Sequence, residues 1–172
     1  MTVLGFLIVC LGISLITATE NTICTLDLGL LVDTTRSIEE ENIPTVKAAL
    51  QHLVQKFDIS TDGTHVSFET FAAKSKLHNK FNNDTYHSKE AVLDLISDSI
   101  NKLTQPTRLD FALKTAKEHM FTEESGLRPG VRSAMVLYTD GRSYPGSEDF
   151  FLDVVALKVI PSTWKFSKTF PD

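Results

Sequence analysis

The stretch LLVDTTRSI, residues 30–38, constrains the fold of this chain more than any other. Its beginning completes an apolar segment, residues 25–32, which is hydrophobic enough to form a β-strand buried on both faces. Strands of that kind are typical of parallel sheets, because helices cover both faces of such sheets. The apolar run ends at Asp33, and hydroxyl side chains follow at alternate positions, Thr35 and Ser37. A carboxylate and two hydroxyls at the tip of a buried strand indicate a polar site there.

Helical and extended patterns alternate along the following residues. Ser37 and Glu40 form a capping-box pattern, which predicts a helix that begins directly after the loop and continues to about Phe57. The spacing of apolar residues predicts further strands at 65–72, 75–81 and 133–139, and further helices at 88–100 and 109–120. Strands that alternate with helices of this length predict an α/β fold with a mainly parallel central sheet flanked by helices.

Small oxygen-bearing side chains follow two of the predicted strands, and Thr107 begins a predicted helix in the loop between them. In open α/β sheets, ligands bind outside the carboxyl ends of the strands. The candidate ligands at this edge are Asp33, Thr35, Ser37, Thr107 and Asp140. A hard cation such as Mg²⁺ prefers oxygen ligands, and two carboxylates would largely balance its charge. Because hydroxyls are weak, neutral ligands, such a site would leave a position open for an acidic residue of a partner.

Each of these residues also has a purely structural interpretation. Ser37 and Thr107 can be helix N-caps, and Asp140 before Gly141 forms a common turn pair. From the residue types alone, the metal site and the structural roles both stay open.

Composition and charge limit the class of protein. The chain has 172 residues, of which 42% are hydrophobic and 23% charged, as expected for one globular domain with a core. The net charge of −5 gives no basis for binding nucleic acid, which requires a basic surface. Residues 1–19 carry no charged side chain, and their apolar run is shorter than the roughly 20 residues of a membrane-spanning helix. They are predicted to be a signal peptide cleaved between Ala18 and Glu20, with a membrane anchor as the alternative.

Two features bear on export from the cell. Asn83, Asp84 and Thr85 form an N-glycosylation sequon in a polar stretch that is predicted to be an exposed loop. Cys10 lies in the predicted signal peptide, so Cys24 would be the single thiol of the mature chain. An unpaired cysteine in a secreted protein indicates a disulfide partner on another chain or a partner that is missing from this chain. The alternative is a buried free thiol.

Residues 24–147 resemble a von Willebrand factor type A domain, as found in matrilins, collagen-associated proteins and integrin inserted domains. Three motifs carry the resemblance, in the same order as in the family. LLVDTTRSI is similar to an apolar strand followed by Asp-x-Ser-x-Ser, LTQPTRLDFAL to a threonine before a helix with Ala-Leu, and VLYTDGRS to a strand ending in Thr-Asp-Gly. The resemblance implies a three-layer, Rossmann-like domain over residues 24–160.

The resemblance also implies a metal-ion-dependent adhesion site. Thr35, Ser37 and Thr107 would supply hydroxyl oxygens, and Asp33 and Asp140 would act directly or through water. The implied cation is Mg²⁺ or Mn²⁺, and its open position would take a carboxylate from a protein ligand. Many domains of this family keep the fold but bind their partners elsewhere, without metal.

The chain departs from the family pattern near the implied site. Thr35 replaces a serine, and Arg36 stands where glycine is common. Gln105 and Pro106 replace two glycines before Thr107, which makes that loop stiffer. None of these changes removes an oxygen donor.

The C-terminal part is shorter than in the family. Residues 149–155 are predicted to form a helix, residues 154–160 a strand and residues 161–172 a tail. The last edge strand and the closing helix would then be missing. So would the cysteine that in this family often pairs with one at the position of Cys24. The chain is therefore expected to be a truncated isoform, a partial gene product or a fragment of a longer protein.

The function that the resemblance implies is that of a secreted, non-enzymatic adhesion or matrix-type module. Its expected partners are extracellular proteins, such as collagen or other matrix or cell-surface ligands that present a carboxylate. One alternative is a structural matrix component with a degenerate metal site. Another is a Mg²⁺-dependent phosphatase of the haloacid dehalogenase type. That chemistry requires a second aspartate two residues after the nucleophile, where this chain has Thr35, and is therefore disfavoured.

Overall fold

The computed structural model describes residues 6–8, 25–101, 103–140, 143–159 and 167–168. Its strands are β1 (Phe6–Ile8), β2 (Leu26–Asp33), β3 (His65–Phe71), β4 (Ser75–Asn79), β5 (Arg132–Tyr138) and β6 (Ser167–Lys168). They form one sheet in the order β4-β3-β2-β5-β1-β6. The three central strands, β3, β2 and β5, are parallel, whereas β4, β1 and β6 pair in antiparallel fashion.

Strand β2 lies at the centre because its side chains are apolar toward both faces of the sheet. All eight of its residues are buried. Leu28 and Leu30 face one cluster of buried side chains, and Leu31 faces the other. The predicted strand buried on both faces is therefore confirmed.

The helices form one layer on each face of the sheet. Helices α1 (Ile43–Val54) and α2 (Lys89–Ser99) cover the first face, and α3 (Leu109–Thr115) and α4 (Phe151–Val159) cover the second. A π-helical turn, Ala116–Met120, directly continues α3. The three layers confirm the predicted α/β fold class with helices on both faces of a sheet whose centre is parallel.

Gly29 allows the second layer to approach the central strand closely. A Cβ atom at this position would lie 2.5 Å from Cζ of Phe121 and 2.7 Å from Sδ of Met120. Both contacts are far shorter than two packed atoms tolerate. The absence of a side chain in the middle of β2 thus lets the π-helical turn and Phe121 lie directly on the sheet.

The predicted capping box of Ser37 and Glu40 is wrong. Two short 3₁₀ turns, Arg36–Ile38 and Glu40–Asn42, precede α1, which begins at Ile43. The Ser37 hydroxyl bonds to the hydroxyl of Thr35, so it does not cap a helix. The helix begins later, where Pro44 occupies the first turn and its missing N–H costs nothing.

The strand predicted at residues 154–160 is also wrong. Residues 154–159 belong to helix α4, while the predicted helix at 149–155 overlaps the start of that element. A short apolar run fits a buried strand and a buried helix equally well, and spacing alone does not separate them. Here Phe150, Val154 and Leu157 lie at helical spacing and pack against the second layer of the core.

Beyond β5 the sheet is continued by β1 and β6. Strand β1 lies within the segment predicted to be a signal peptide, and its Leu7 is opposite Leu137. The remainder of that segment, Cys24 and most of the predicted tail lie outside the described residues, so their predicted roles stay predictions. None of the described helices has the length and hydrophobicity of a membrane-spanning segment.

Candidate metal centre

Asp33 ends β2 and is held by two hydrogen bonds. One carboxylate oxygen accepts the backbone N–H of Thr35 at 2.9 Å, and the other accepts the hydroxyl of Thr139 at 2.8 Å. Thr139 follows β5, which is the parallel neighbour of β2, so the topology of the sheet brings these two residues together. The Asp33 side chain is 1% exposed. Its orientation is therefore fixed by residues from two strand ends.

Three hydroxyl groups meet beside this carboxylate. The Oγ1 atom of Thr35 lies 2.8 Å from Oγ of Ser37. The Thr107 hydroxyl donates to the same Thr35 oxygen at 3.1 Å. Thr35 is buried, whereas Ser37 and Thr107 are half-buried. Two segments that are 72 positions apart along the chain thus place their hydroxyls in one cluster, with Thr35 at its centre.

Backbone hydrogen bonds hold Thr107 in this position. The loop before it is bonded to the segment after β2, because the N–H of Arg36 donates to the carbonyl of Thr104 at 3.0 Å. The N–H of Thr104 in turn donates to the carbonyl of Thr34 at 3.0 Å. The N-cap interpretation of Thr107 is wrong, because α3 begins at Leu109 and its N-cap position is Arg108.

Asp140 brings a second carboxylate close to the first. It follows Thr139 directly and is half-buried. Burial raises the pKa of Asp33, and the charge of Asp140 raises it further, whereas the hydrogen bonds from Thr35 and Thr139 lower it. A bound cation would stabilise the ionised form of Asp33, which burial and the neighbouring carboxylate disfavour.

The donor set fits a hard cation. It consists of two carboxylates and three hydroxyls, which are oxygen ligands of the kind that Mg²⁺ and Mn²⁺ take. In the part of the chain that the structure describes, no three His, Cys, Asp or Glu side chains cluster in a way that could hold a metal. A cation site here would therefore depend on the neutral hydroxyls as much as on the carboxylates.

Sequence reasoning missed Thr139 as a member of this site. Its hydroxyl is buried and fixes the orientation of the Asp33 carboxylate. The available signal was its position, since it is the first residue after β5 and precedes Asp140. Thr34, by contrast, uses its hydroxyl and its N–H on the carbonyl of Phe71 and does not take part in the hydroxyl cluster.

The segment after Asp140 folds back onto the start of α3. The N–H of Tyr144 donates to the carbonyl of Thr107 at 2.9 Å, and that of Glu148 to the carboxylate of Asp110 at 3.0 Å. Burial alone would raise the pKa of Asp110, but the bonds from the Arg108 guanidinium and from Glu148 lower it overall. This ionised carboxylate therefore helps to hold the loop beside Thr107.

Comparisons with known proteins agree on one kind of domain. A family model described as the von Willebrand factor type A domain matches residues 27–159. Matrilin-3 of Gallus gallus is 30% identical over 120 residues, which cover 68% of this chain and 26% of that protein. Matrilin-4 of Homo sapiens is 32% identical over 124 residues, which cover 68% of this chain and 19% of that protein. The chain thus spans about a quarter or less of the length of these two relatives.

Solved structures show the same architecture. Proximal thread matrix protein 1 from the mussel byssus is 25% identical, with a TM-score of 0.64, over 72% of this chain and 32% of that chain. A structure of the same mussel protein with a zinc-occupied MIDAS motif has a TM-score of 0.58 at 21% identity, over 66% of this chain and 28% of that chain.

Proposed function

We propose that this chain, which belongs to the von Willebrand factor type A domain family, is a non-enzymatic, extracellular protein-binding module that holds its ligand through a divalent cation. Its similarity to matrilins and to a byssus matrix protein makes it a matrix-type module of that family. The cation, Mg²⁺ or Mn²⁺, would be bound by Asp33, Thr35, Ser37, Thr107 and Asp140. The ligand would be an extracellular protein, such as collagen, that presents a carboxylate.

The observation that carries the proposal is the hydroxyl cluster around Thr35. Its Oγ1 atom contacts both Ser37 and Thr107, beside the fixed carboxylate of Asp33. When bound, a cation would provide a positive centre with an open position for an anionic ligand. The hydroxyls hold it without neutralising it, and Thr139 keeps the Asp33 carboxylate oriented. The structure of the mussel protein with a zinc-occupied MIDAS motif gives cation binding a precedent in the same fold.

Catalysis of phosphate transfer finds no support in this geometry. A phosphatase of the haloacid dehalogenase type would need an acid where Thr35 stands. The Thr35 hydroxyl is instead engaged with two other hydroxyls, and it has no carboxyl proton to donate. The alternative of a structural matrix component with a degenerate metal site is separated from the proposal by the following experiment.

Replacing Asp140 by alanine is expected to abolish Mg²⁺ binding, because it removes one of the two charged ligands. Isothermal titration with Mg²⁺ and Mn²⁺ should show one site in the unchanged chain and none in Asp140→Ala. At a cation concentration of 100 times Kd, binding should add about 2.7 kcal/mol to the free energy of unfolding. Adhesion to collagen-coated surfaces should require the cation and disappear with EDTA.

The matched control is Asp62→Ala. Asp62 is exposed in the turn before β3, at the opposite end of the sheet, so its removal changes the net charge equally without touching the site. If the unchanged chain took up no Mg²⁺, and Asp140→Ala adhered to collagen as well as Asp62→Ala does, the chain would be a structural module with a degenerate site.

Glycosylation of Asn83 would accompany export from the cell. Asn83 is exposed before the 3₁₀ turn Asp84–Tyr86, and its side chain accepts the N–H of Thr85 at 3.3 Å. The sequon therefore lies at the surface, where an oligosaccharide can be attached without unfolding the domain. Chain secreted by cultured animal cells should lose apparent mass on treatment with peptide N-glycosidase. Asn83→Gln should remove that response, and the neighbouring Asn82→Gln, outside the sequon, should retain it.

A further inference from the structure

A groove of about 600 Å³ borders the candidate metal centre. It is lined by Arg36, Glu40, Ile43, Asn101, Leu103 and Thr104. Arg36 stands in the chain between Thr35 and Ser37, which are two of the proposed cation ligands. A protein segment bound to the cation would therefore pass directly beside this groove.

The Arg36 guanidinium is available to a partner. Its backbone is fixed by the hydrogen bond from its N–H to Thr104, whereas its side chain is exposed. Among the described residues it makes no ion pair, although Arg108 and Arg128 each pair with a buried aspartate. Glu40 lines the same groove, but its carboxylate is not within ion-pair distance of Arg36. An arginine in this state keeps its full capacity to bind a carboxylate with two parallel hydrogen bonds.

Charge beside the metal centre determines what kind of ligand fits. A bound dication and an exposed guanidinium repel each other, and an anionic group placed against each of them relieves that repulsion. A ligand with one carboxylate satisfies the cation and leaves Arg36 beside it unpaired. A ligand with a lysine at the same place would add a third positively charged group. The half-buried Ile43 and Leu103 provide apolar surface for the stem of a long acidic side chain.

We propose that Arg36 makes this site selective for protein segments that carry two acidic side chains, one for the cation and a second for the guanidinium in the groove. The inference rests on the proposed function, since the first carboxylate needs the cation. In an extended segment, side chains two residues apart point the same way and lie about 7 Å apart. This separation is of the same order as the reach of an arginine side chain, so the second acidic residue is placed two positions from the first.

Blocked pentapeptides with the central sequences Glu-Gly-Glu, Glu-Gly-Gln and Glu-Gly-Lys test the proposal. Their affinities for the ¹⁵N-labelled chain are measured by chemical-shift titration in Mg²⁺ at low ionic strength, because salt screens exposed charges. A peptide with two glutamates gains a statistical factor of two from its two binding modes. Beyond that factor, the unchanged chain should bind the Glu-Gly-Glu peptide about two- to fivefold more tightly than the Glu-Gly-Gln peptide, as expected for an exposed ion pair. Arg36→Gln should reduce the preference to the statistical factor, and Arg36→Glu should reverse it in favour of the lysine peptide.

Arg132→Gln is the matched control, because Arg132 is exposed at the start of β5, at the opposite end of the sheet. It should keep the preference of the unchanged chain. Equal preference ratios in the unchanged chain and in Arg36→Gln would overturn the inference, while Mg²⁺-dependent binding of all the peptides would leave the proposed function standing. If none of the peptides caused a Mg²⁺-dependent shift at millimolar concentration, the proposed function would fail and the inference with it.

Discussion

Thr35→Val should fold but should bind Mg²⁺ about ten- to a hundredfold more weakly than the unchanged chain. Losses of this size are typical when groups around a bound metal are removed. Valine has nearly the same shape as threonine, so the buried volume at this position is preserved. The substitution removes the hydroxyl that contacts both Ser37 and Thr107. The cation would lose one ligand, and the two remaining hydroxyls would lose the group that positions them. Isothermal titration and the shift of Tm with added Mg²⁺ both measure the loss.

The neighbouring threonine supplies the control for this prediction. The Thr34 hydroxyl donates to the carbonyl of Phe71 at 3.1 Å. Thr34→Val should therefore lower the free energy of unfolding by about 1 kcal/mol, as for a lost hydrogen bond, and leave the Mg²⁺ affinity unchanged. Thr35→Ser keeps the hydroxyl and should keep the affinity. Equal Mg²⁺ affinities in Thr34→Val and Thr35→Val would remove Thr35 from the set of ligands.

The sheet could be predicted because a short, continuous stretch of sequence identifies its central strand. An apolar run that ends in Asp33 and hydroxyls specifies a strand buried on both faces, and the alternation with helices then implies parallel neighbours. Parallel strands carry their tips to the same edge, which is why residues as distant as Asp33 and Asp140 could be placed together from the sequence. Thr107 lies in the loop between α2 and α3 and follows no strand. Their metal-binding role stays a prediction.

The errors arise where local pattern and tertiary contacts disagree. Ser37 has the spacing of a helix cap, but its hydroxyl bonds to Thr35, a contact that forms when the loop is folded. Residues 154–160 have the composition of a strand, but packing of Val154 and Leu157 against the second core layer requires a helix. Thr139 was missed because its position after a strand indicates the edge of the sheet but does not show that its hydroxyl bonds to Asp33. The helix at residues 154–159 and the role of Thr139 depend on residues far away in the chain.

A buried acid in β3 has a large predicted effect on stability. Glu69 is 0% exposed and belongs to the strand beside the central one. The hydroxyl of Ser75 donates to one of its carboxylate oxygens, and the other oxygen has no hydrogen-bond partner among the described residues. Burial raises the pKa of Glu69 from 4.5 to about 8, and the bond from Ser75 lowers it only in part. The folded chain therefore holds a proton on Glu69 at neutral pH.

This proton makes stability depend on pH in a definite direction. The folded pKa is above the unfolded one, so the contribution of Glu69 is fully present below pH 4.5 and is lost as the pH rises through 8. The total change between the two pKa values corresponds to roughly 5 kcal/mol of unfolding free energy. Glutamine has the same shape and does not titrate, so Glu69→Gln should lose this dependence and should be more stable than the unchanged chain at pH 9.

Denaturant unfolding followed by circular dichroism at pH 5 to 9 measures the effect. At pH 5 both folded proteins carry a neutral side chain at position 69. Their free energies of unfolding should therefore agree within about 1 kcal/mol, the size of one hydrogen bond. The difference between them should then grow with pH, which separates Glu69 from other titrating groups that the two proteins share. Glu41→Gln, at an exposed position, should follow the unchanged chain at every pH. Parallel curves for Glu69→Gln and the unchanged chain would mean that Glu69 ionises in the folded state as an exposed acid does.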